Sequence, residues 1–189
     1  MLDCGCPEHY PEDWHGQDVD LSGHCVLRLD IPTPLHMPVA IEAYMQRQQR
    51  SIEELELNEE WPNLVLVRTG IWRGEIIRLL KDEGSLSRLV GYLPRPFHVR
   101  THLHHGNVST LRSSLRQVQQ SLLDEGRMPK GLYLSHLTCP RCRDRRGGDL
   151  ILLMRQWQES PTLQQRLAKQ QKKRKRVKLS EKGLERPAS

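Results

Sequence analysis

The sequence has few aromatic residues and no long apolar run. Its 189 residues include one Phe, four Trp and four Tyr, so aliphatic side chains must fill most of the core. No window approaches the roughly 18 consecutive apolar residues that a membrane helix needs. The first residues also lack the basic and apolar regions of a secretory signal. We therefore expect an intracellular protein, cytoplasmic or, in a eukaryotic host, nuclear, that neither spans a membrane nor is exported.

Motifs of the common enzyme classes are also missing. There is no phosphate-binding loop, no dinucleotide-binding glycine motif and no Ser-His-Asp signature. A zinc deaminase pattern fails as well, because no H-x-E precedes the C-x-x-C pair and Thr138 stands where that signature has proline. The sequence therefore assigns no reaction.

Charge is divided unevenly along the chain, although the net charge is only +6. Residues 1–60 carry 3 Lys or Arg against 13 Asp or Glu, whereas residues 61–189 carry 26 against 10. This asymmetry indicates either pairing between the two regions or a basic surface that meets a polyanion.

The C-terminal tail holds ten Lys or Arg between residues 166 and 186. Such density repels itself and buries little apolar area, so we expect disorder or a lone exposed helix. Contacts to phosphates release counterions, which favours nucleic acid or an acidic protein as partner, and no aromatic residues are interleaved to stack on bases. A solubilising tail, or one that folds back on the acidic N-terminal region, is the alternative. The residues predicted to contact a polyanion are Lys172, Lys173, Arg174, Lys175, Arg176 and Lys178.

Apolar periodicity predicts strands and helices in alternation. Strands are expected at 25–31, 63–67, 97–104 and 131–137, and helices from Pro38 and over 71–83, 109–125 and 150–157. This order predicts an α/β fold, a roughly four-stranded sheet covered by helices, with a metal-stapled N-terminus and a basic C-terminal tail. The expected domains are an irregular acidic segment (1–24), an α/β core (25–160) and the tail (161–189).

Four of the five cysteines form two close pairs, Cys4-x-Cys6 and Cys139-x-x-Cys142. In a reducing compartment such pairs indicate metal binding or redox chemistry before structural disulfides. Thiolates are ligands that zinc prefers, and a structural zinc takes four ligands in a tetrahedron. The sequence thus predicts a zinc site of these four cysteines, which would staple the N-terminus to the far end of the fold.

Three alternatives to this site stay open. His9, His24 or Cys25 could serve as a ligand in place of one cysteine. The C-x-x-C pair could be a redox dithiol like that of thioredoxin-like proteins, although only 47 residues follow Cys142 and hold no further strand pair for that fold. Finally, the cysteines could be separate free thiols that share no site.

The strand predicted at 97–104 carries histidines at alternate positions. Because the side-chain period of a strand is two, His98, His102 and His104 share one face with Arg100, opposite the apolar face. With oxygen ligands from an acidic loop, they could bind a metal that activates water for hydrolysis. The alternative is an ordinary solvated polar face. The possible second site comprises His98, His102, His104, Asp18 and Asp20.

The leading hypothesis from the sequence is a non-enzymatic, metal-stabilised protein that binds nucleic acid or another acidic partner through its basic tail. A metal-dependent hydrolase that uses the histidine-lined strand and the acidic loop is the second. An interaction adaptor, with the acidic and basic regions as docking surfaces, is the third.

Overall fold

A computed structural model describes residues 4–81 and 87–184 of the chain, with side chains up to residue 172. Eight strands and three α-helices make up this part of the chain. The strands are β1 (Asp18–Asp20), β2 (Cys25–Pro32), β3 (Leu66–Arg68), β4 (Arg73–Leu79), β5 (Val90–Tyr92), β6 (His98–His105), β7 (Arg127–His136) and β8 (Leu150–Glu159). The helices are α1 (Ile41–Glu54), α2 (Leu111–Asp124) and α3 (Pro161–Leu184). None of the described helices is long and apolar enough to cross a membrane.

The eight strands form one sheet in the order β1-β6-β8-β7-β3-β4-β2-β5, and each pair of neighbours is antiparallel. The predicted α/β fold with a roughly four-stranded sheet covered by helices is therefore wrong. Strand β2, strand β6 and helix α2 lie close to where the sequence places them, but two predicted helices are strands.

The two misassigned segments are buried on both faces. The predicted helix over 71–83 contains β4, which is buried from Gly74 to Leu79, and the predicted helix over 150–157 is β8, buried from Leu150 to Met154. A strand covered on both sides loses the apolar–polar alternation that identifies half-buried strands. Its continuous apolar run then resembles a buried helix in sequence.

The sheet separates two apolar layers. On one face the main core contains Val26, Ile77, Val99 and Leu152, and is covered by N-terminal residues that include Trp14. On the opposite face α2 packs on Ile151, Leu153 and Trp157, and α1 packs on β2 and β4. Residues 4–24, predicted to be irregular, thus contribute to the core and supply β1 to the sheet edge, where Val19 pairs with Val99.

The sheet is built from two units with the same order of elements. The first is β2-α1-β3-β4 and the second is β6-α2-β7-β8, with strand orders β3-β4-β2 and β7-β8-β6. The units join where β3 meets β7, with Val67 opposite Leu134. This arrangement leaves α1 and α2 on one face with a groove between their N-terminal ends, which we call the central groove.

Candidate metal centre

The C-x-x-C pair lies in the connection between β7 and β8. The backbone amides of Cys142 and Arg143 donate to the carbonyl of Cys139 at 3.0 and 2.9 Å, which closes a tight turn around the two thiols. Gly147 then reverses the chain with φ of 78°, a left-handed conformation that favours glycine. A redox dithiol of the thioredoxin type lies between a strand and an α-helix, whereas this pair lies between the antiparallel strands β7 and β8 and is followed only by a three-residue 3-10 helix, Asp144–Arg146.

Arg146 fixes the N-terminal segment against this connection. Its guanidinium donates to the carbonyl oxygens of Pro7 (2.7 Å) and Glu8 (3.3 Å) in the N-terminal segment and to that of Leu137 (3.0 Å) next to the turn. The same group stacks over the ring of Tyr10 at 5.7 Å from its centroid. Arg146 therefore links the N-terminal segment to the β7–β8 connection.

The four cysteines of the two pairs converge. One sulfur from each of Cys4, Cys6, Cys139 and Cys142 lies within 4.8 Å of the other three, and the Cys139 and Cys142 sulfurs are 3.9 Å apart. Sulfurs at about 2.3 Å from a tetrahedrally coordinated zinc lie roughly 3.8 Å from one another. Gly5, with φ of 71°, bends the chain between the first two ligands. The cluster could hold a metal ion.

The four thiols differ in acidity. Burial, reinforced by hydrogen bonds to the neighbouring thiols, raises the pKa of Cys6. Burial also acts to raise the pKa of Cys139, but hydrogen bonds from the backbone amides of Arg141 and Cys142 and from the Cys6 and Cys4 thiols lower it to about 7. Cys139 is therefore poised to be a thiolate near neutral pH, and a bound cation would draw the remaining protons off the cluster.

The alternative ligands from the sequence lie elsewhere. His24 Nε2 is 2.8 Å from Glu60, and Cys25 is buried among Leu27 and Ile52 beneath α1. Within the described ranges, the four cysteines are the one group of three or more close ligand atoms. The cysteine cluster thus contains neither Cys25 nor any histidine.

The histidine face of β6 is covered by α2. His104 is buried, with Nδ1 2.9 Å from Ser114 Oγ and Nε2 3.0 Å from Thr110 Oγ1. His98 stacks on Trp157 with ring centroids 5.0 Å apart and lies 3.4 Å from Asp20. Each of these two imidazoles therefore already has a structural contact.

His102 contacts a different residue, His15, which the sequence analysis did not single out. The rings of His15 and His102 have centroids 5.0 Å apart, and the amide of Leu103 donates to His15 Nδ1 at 3.0 Å. Burial, followed by the nearby histidines His15, His104 and His105, lowers the pKa of His102. His102 is the member of the predicted second site with the character of a neutral base.

The two aspartates of the predicted second site have separate partners. Asp18 accepts from Arg100 at 2.6 Å and from Arg127 at 2.5 Å, and although burial acts to raise its pKa, these arginines lower it. Asp20 accepts from the hydroxyl and amide of Ser22 and lies 3.4 Å from His98, so these two members of the predicted second site are in contact. The carboxylates thus serve ion pairs and a turn.

Lys172 is exposed in α3, whereas the other predicted polyanion-binding side chains, Lys173, Arg174, Lys175, Arg176 and Lys178, lie outside the described side chains. Helix α3 begins directly after β8, with the amide of Gln164 donating to the carbonyl of Ser160 at 3.0 Å.

Comparison with known proteins gives one family and one fold. A family model described as Bacterial hydrolase matches residues 2–156, and no curated protein matches. The structure described as "Crystal structure of EcmrR C-terminal domain" is similar at a TM-score of 0.56 and 11% identity, covering 76% of this chain and 96% of that one. A second, "Cryo-EM structure of EcmrR-DNA complex in EcmrR-RPo", has a TM-score of 0.51 and 12% identity, covering 76% of this chain and 57% of that one. At these identities the likeness is one of fold.

Proposed function

The chain belongs to the family described as Bacterial hydrolase, and within it we propose that this protein is a zinc-stabilised, non-enzymatic binding protein. Its basic tail would contact nucleic acid or another acidic partner. The observation that carries this proposal is the convergence, within 4.8 Å, of two thiols from the N-terminal segment and two from the β7–β8 connection.

The ligand set favours zinc in a structural role. Four thiolates suit zinc, and a structural site uses all four positions for protein ligands, whereas a catalytic site keeps one open for water or substrate. Cys142 is fully buried, so the metal would be shielded on the side of the β7–β8 connection. The site would hold residues 4–10 on the sheet and stabilise the fold that carries the tail.

Nucleic acid is the partner that we favour. Six Lys or Arg within seven residues form a dense polycation. The solved complex of EcmrR with DNA supports the choice, since this chain shares a fold with part of that protein. The family is described as bacterial, which favours the cytoplasm over a nucleus.

Affinity for duplex DNA is expected to fall steeply with salt. If each of the six tail residues neutralises one phosphate, the slope of log K against log salt concentration is about −5. Replacing all six with Gln should remove most of this slope and weaken binding at least 100-fold at low salt. Fluorescence anisotropy with labelled duplex and single-stranded oligonucleotides measures both quantities.

The control variant removes four charges from the two surface helices instead of six from the tail, by replacing Arg47, Arg50, Arg112 and Arg116 with Gln. This variant should keep the wild-type slope. Absence of binding at low salt, or equal loss in the control and tail variants, would refute the tail as the binding element.

Hydrolysis is the second candidate, and the family description favours it. The residue best suited to act as a base is His102, which burial keeps neutral and which lies beside His15.

If the protein cleaves p-nitrophenyl acetate or bis-p-nitrophenyl phosphate, His102→Ala should lower the rate at least 100-fold, while His9→Ala, at an exposed position, should not. Equal rates in wild type and His102→Ala would remove this candidate.

A further inference from the structure

The central groove is a cavity of about 630 Å³ on the helix-bearing face of the sheet. It lies where the two units meet, between Ile41 at the start of α1 and Val108 just before α2. Val67, Leu134 and Arg155 contribute to its floor from β3, β7 and β8. The groove is therefore apolar along its centre, with one arginine beside the apolar strip.

The charge that lines the groove has one sign. Four Lys or Arg and two histidines line it, and none of the Asp or Glu residues in the described part of the chain does. Arg68 is neutralised elsewhere, because its Nε lies 2.7 Å from Glu75. The charges left for the groove come from Arg73, Lys130 and Arg155.

Arg155 differs from the arginine opposite it in the sheet. Arg100 and Arg155 are directly paired across β6 and β8, an arrangement of like charges that destabilises a sheet. Arg100 is compensated, because it binds Asp18 and Glu125, each at 2.6 Å. Arg155 has no ion pair within the described part of the chain, and its Nε is buried without a hydrogen-bond partner.

Leaving a cation in this state is costly. Burial lowers the pKa of Arg155, and among the described side chains no carboxylate raises it again. A buried donor without a partner carries its full desolvation penalty. A bound anion that pairs with Arg155 would offset this desolvation cost and would explain the presence of an arginine at this position.

We propose that the central groove binds an organic anion, a carboxylate or phosphate monoester with an apolar body, whose charged group meets Arg155. The apolar body would lie over Val67 and Leu134. Exposed apolar residues adjoin the lining at one end of the groove, where the amide of Leu35 donates to the carbonyl of Ile71. At that end Leu35, Met37, Ile71 and Trp72 are all more than half exposed.

Calorimetric titration of the full-length protein with four probes tests the site. Decanoate, decyl phosphate, decyltrimethylammonium and inorganic phosphate separate the contributions of charge and chain. At least one of the two amphiphilic anions should bind ten-fold or more tighter than the cation and than inorganic phosphate. The tighter of the two identifies the head group.

Arg155→Gln should weaken that anion at least ten-fold, whereas Arg50→Gln, at an exposed position on α1, should leave it unchanged. Without ligand, Arg155→Gln should melt at or above the wild-type temperature, because it removes a half-buried guanidinium whose Nε has no hydrogen-bond partner; a purely structural arginine would give a lower one. If Arg155→Gln does not fold, Lys130→Glu at the exposed edge should weaken the anion several-fold. Equal affinity for cation and anion, unchanged binding in the folded variant, or no binding of any probe at 1 mM overturns the proposal.

Discussion

Replacing Cys142 with serine is expected to abolish stoichiometric zinc and to lower the melting temperature by about 8–16 °C. A serine hydroxyl is not a thiolate, and Cys142 is completely buried, so water cannot readily take its place. A metal present at about 1,000 times its dissociation constant stabilises the folded state by about 4 kcal/mol. For a chain of this length each kcal/mol corresponds to about 2–4 °C.

Elemental analysis and thermal melts of the purified protein measure this effect. Wild type should hold about one zinc per chain, and a chelator should reproduce the melting temperature of the variant. Cys25→Ser is the matched control, because Cys25 is also buried but lies in the apolar cluster beneath α1. The control should keep its zinc. One zinc per chain in Cys142→Ser would contradict the four-cysteine site.

The cysteine cluster was predictable because metal binding by thiols is indicated by the residue type and its spacing in the sequence. Two close cysteine pairs in a reducing compartment indicate metal binding by their residue type and spacing alone, so the four ligands could be predicted without knowledge of the fold. The contacts that bring the two pairs together could not be predicted in this way. They depend on Arg146, which donates to the carbonyls of Pro7 and Glu8, 139 and 138 residues away in the sequence, and no local pattern in the sequence indicates such a contact.

Whether a helix or strand could be predicted from the sequence depended on how many of its faces are buried. Helix α2 and strands β2 and β6 each have one polar face or edge, so their periodicity is visible in the sequence. Strands β4 and β8 are covered on both sides and were mistaken for helices. Two such errors changed the fold class, because each replaced a central strand of the sheet with a helix.

The central groove had no signature in the sequence. Arg155 follows Met154 in an apolar segment, and nothing local distinguishes it from an arginine that reaches the surface. Its unpaired state appears only when the sheet places it opposite Arg100, which has already taken Asp18 and Glu125. Whether a charged side chain has an ion-pair partner depends on contacts between distant segments of the chain. The periodicity of the sequence does not indicate such contacts.

For the predicted second site, the sequence indicated which side chains share a face of a strand but not what packs against that face. The alternation that puts His98, His102 and His104 on one face of β6 was correctly recognised. What covers that face was not, because α2 and Trp157 come from other parts of the chain. That these histidines share a face of β6 therefore does not mean that they meet in one site.

Arg78→Met is expected to destabilise the protein by about 3–5 kcal/mol, because it would leave a buried carboxylate without its cation. Arg78 and Glu59 are both almost completely buried and lie 2.9 Å apart. Arg78 also donates to the side chains of Gln48 and Gln49 on α1, and Gln48 in turn donates to the carbonyl of Leu27. The pair thus anchors α1 to the sheet through polar contacts.

Urea unfolding of the zinc-loaded protein measures the loss, and a double variant identifies its cause. In Arg78→Met/Glu59→Gln no charge is left unpaired, and the introduced amide oxygen can still accept from the backbone amide of Asn63, which now donates to Glu59 at 3.3 Å. The double variant should therefore recover most of the stability that the single variant loses, since a buried ion pair contributes little beyond its own desolvation cost. If both variants lose the same amount, the contacts from Arg78 to α1 outweigh the unpaired carboxylate, and the anchoring of the helix depends on hydrogen bonds more than on charge.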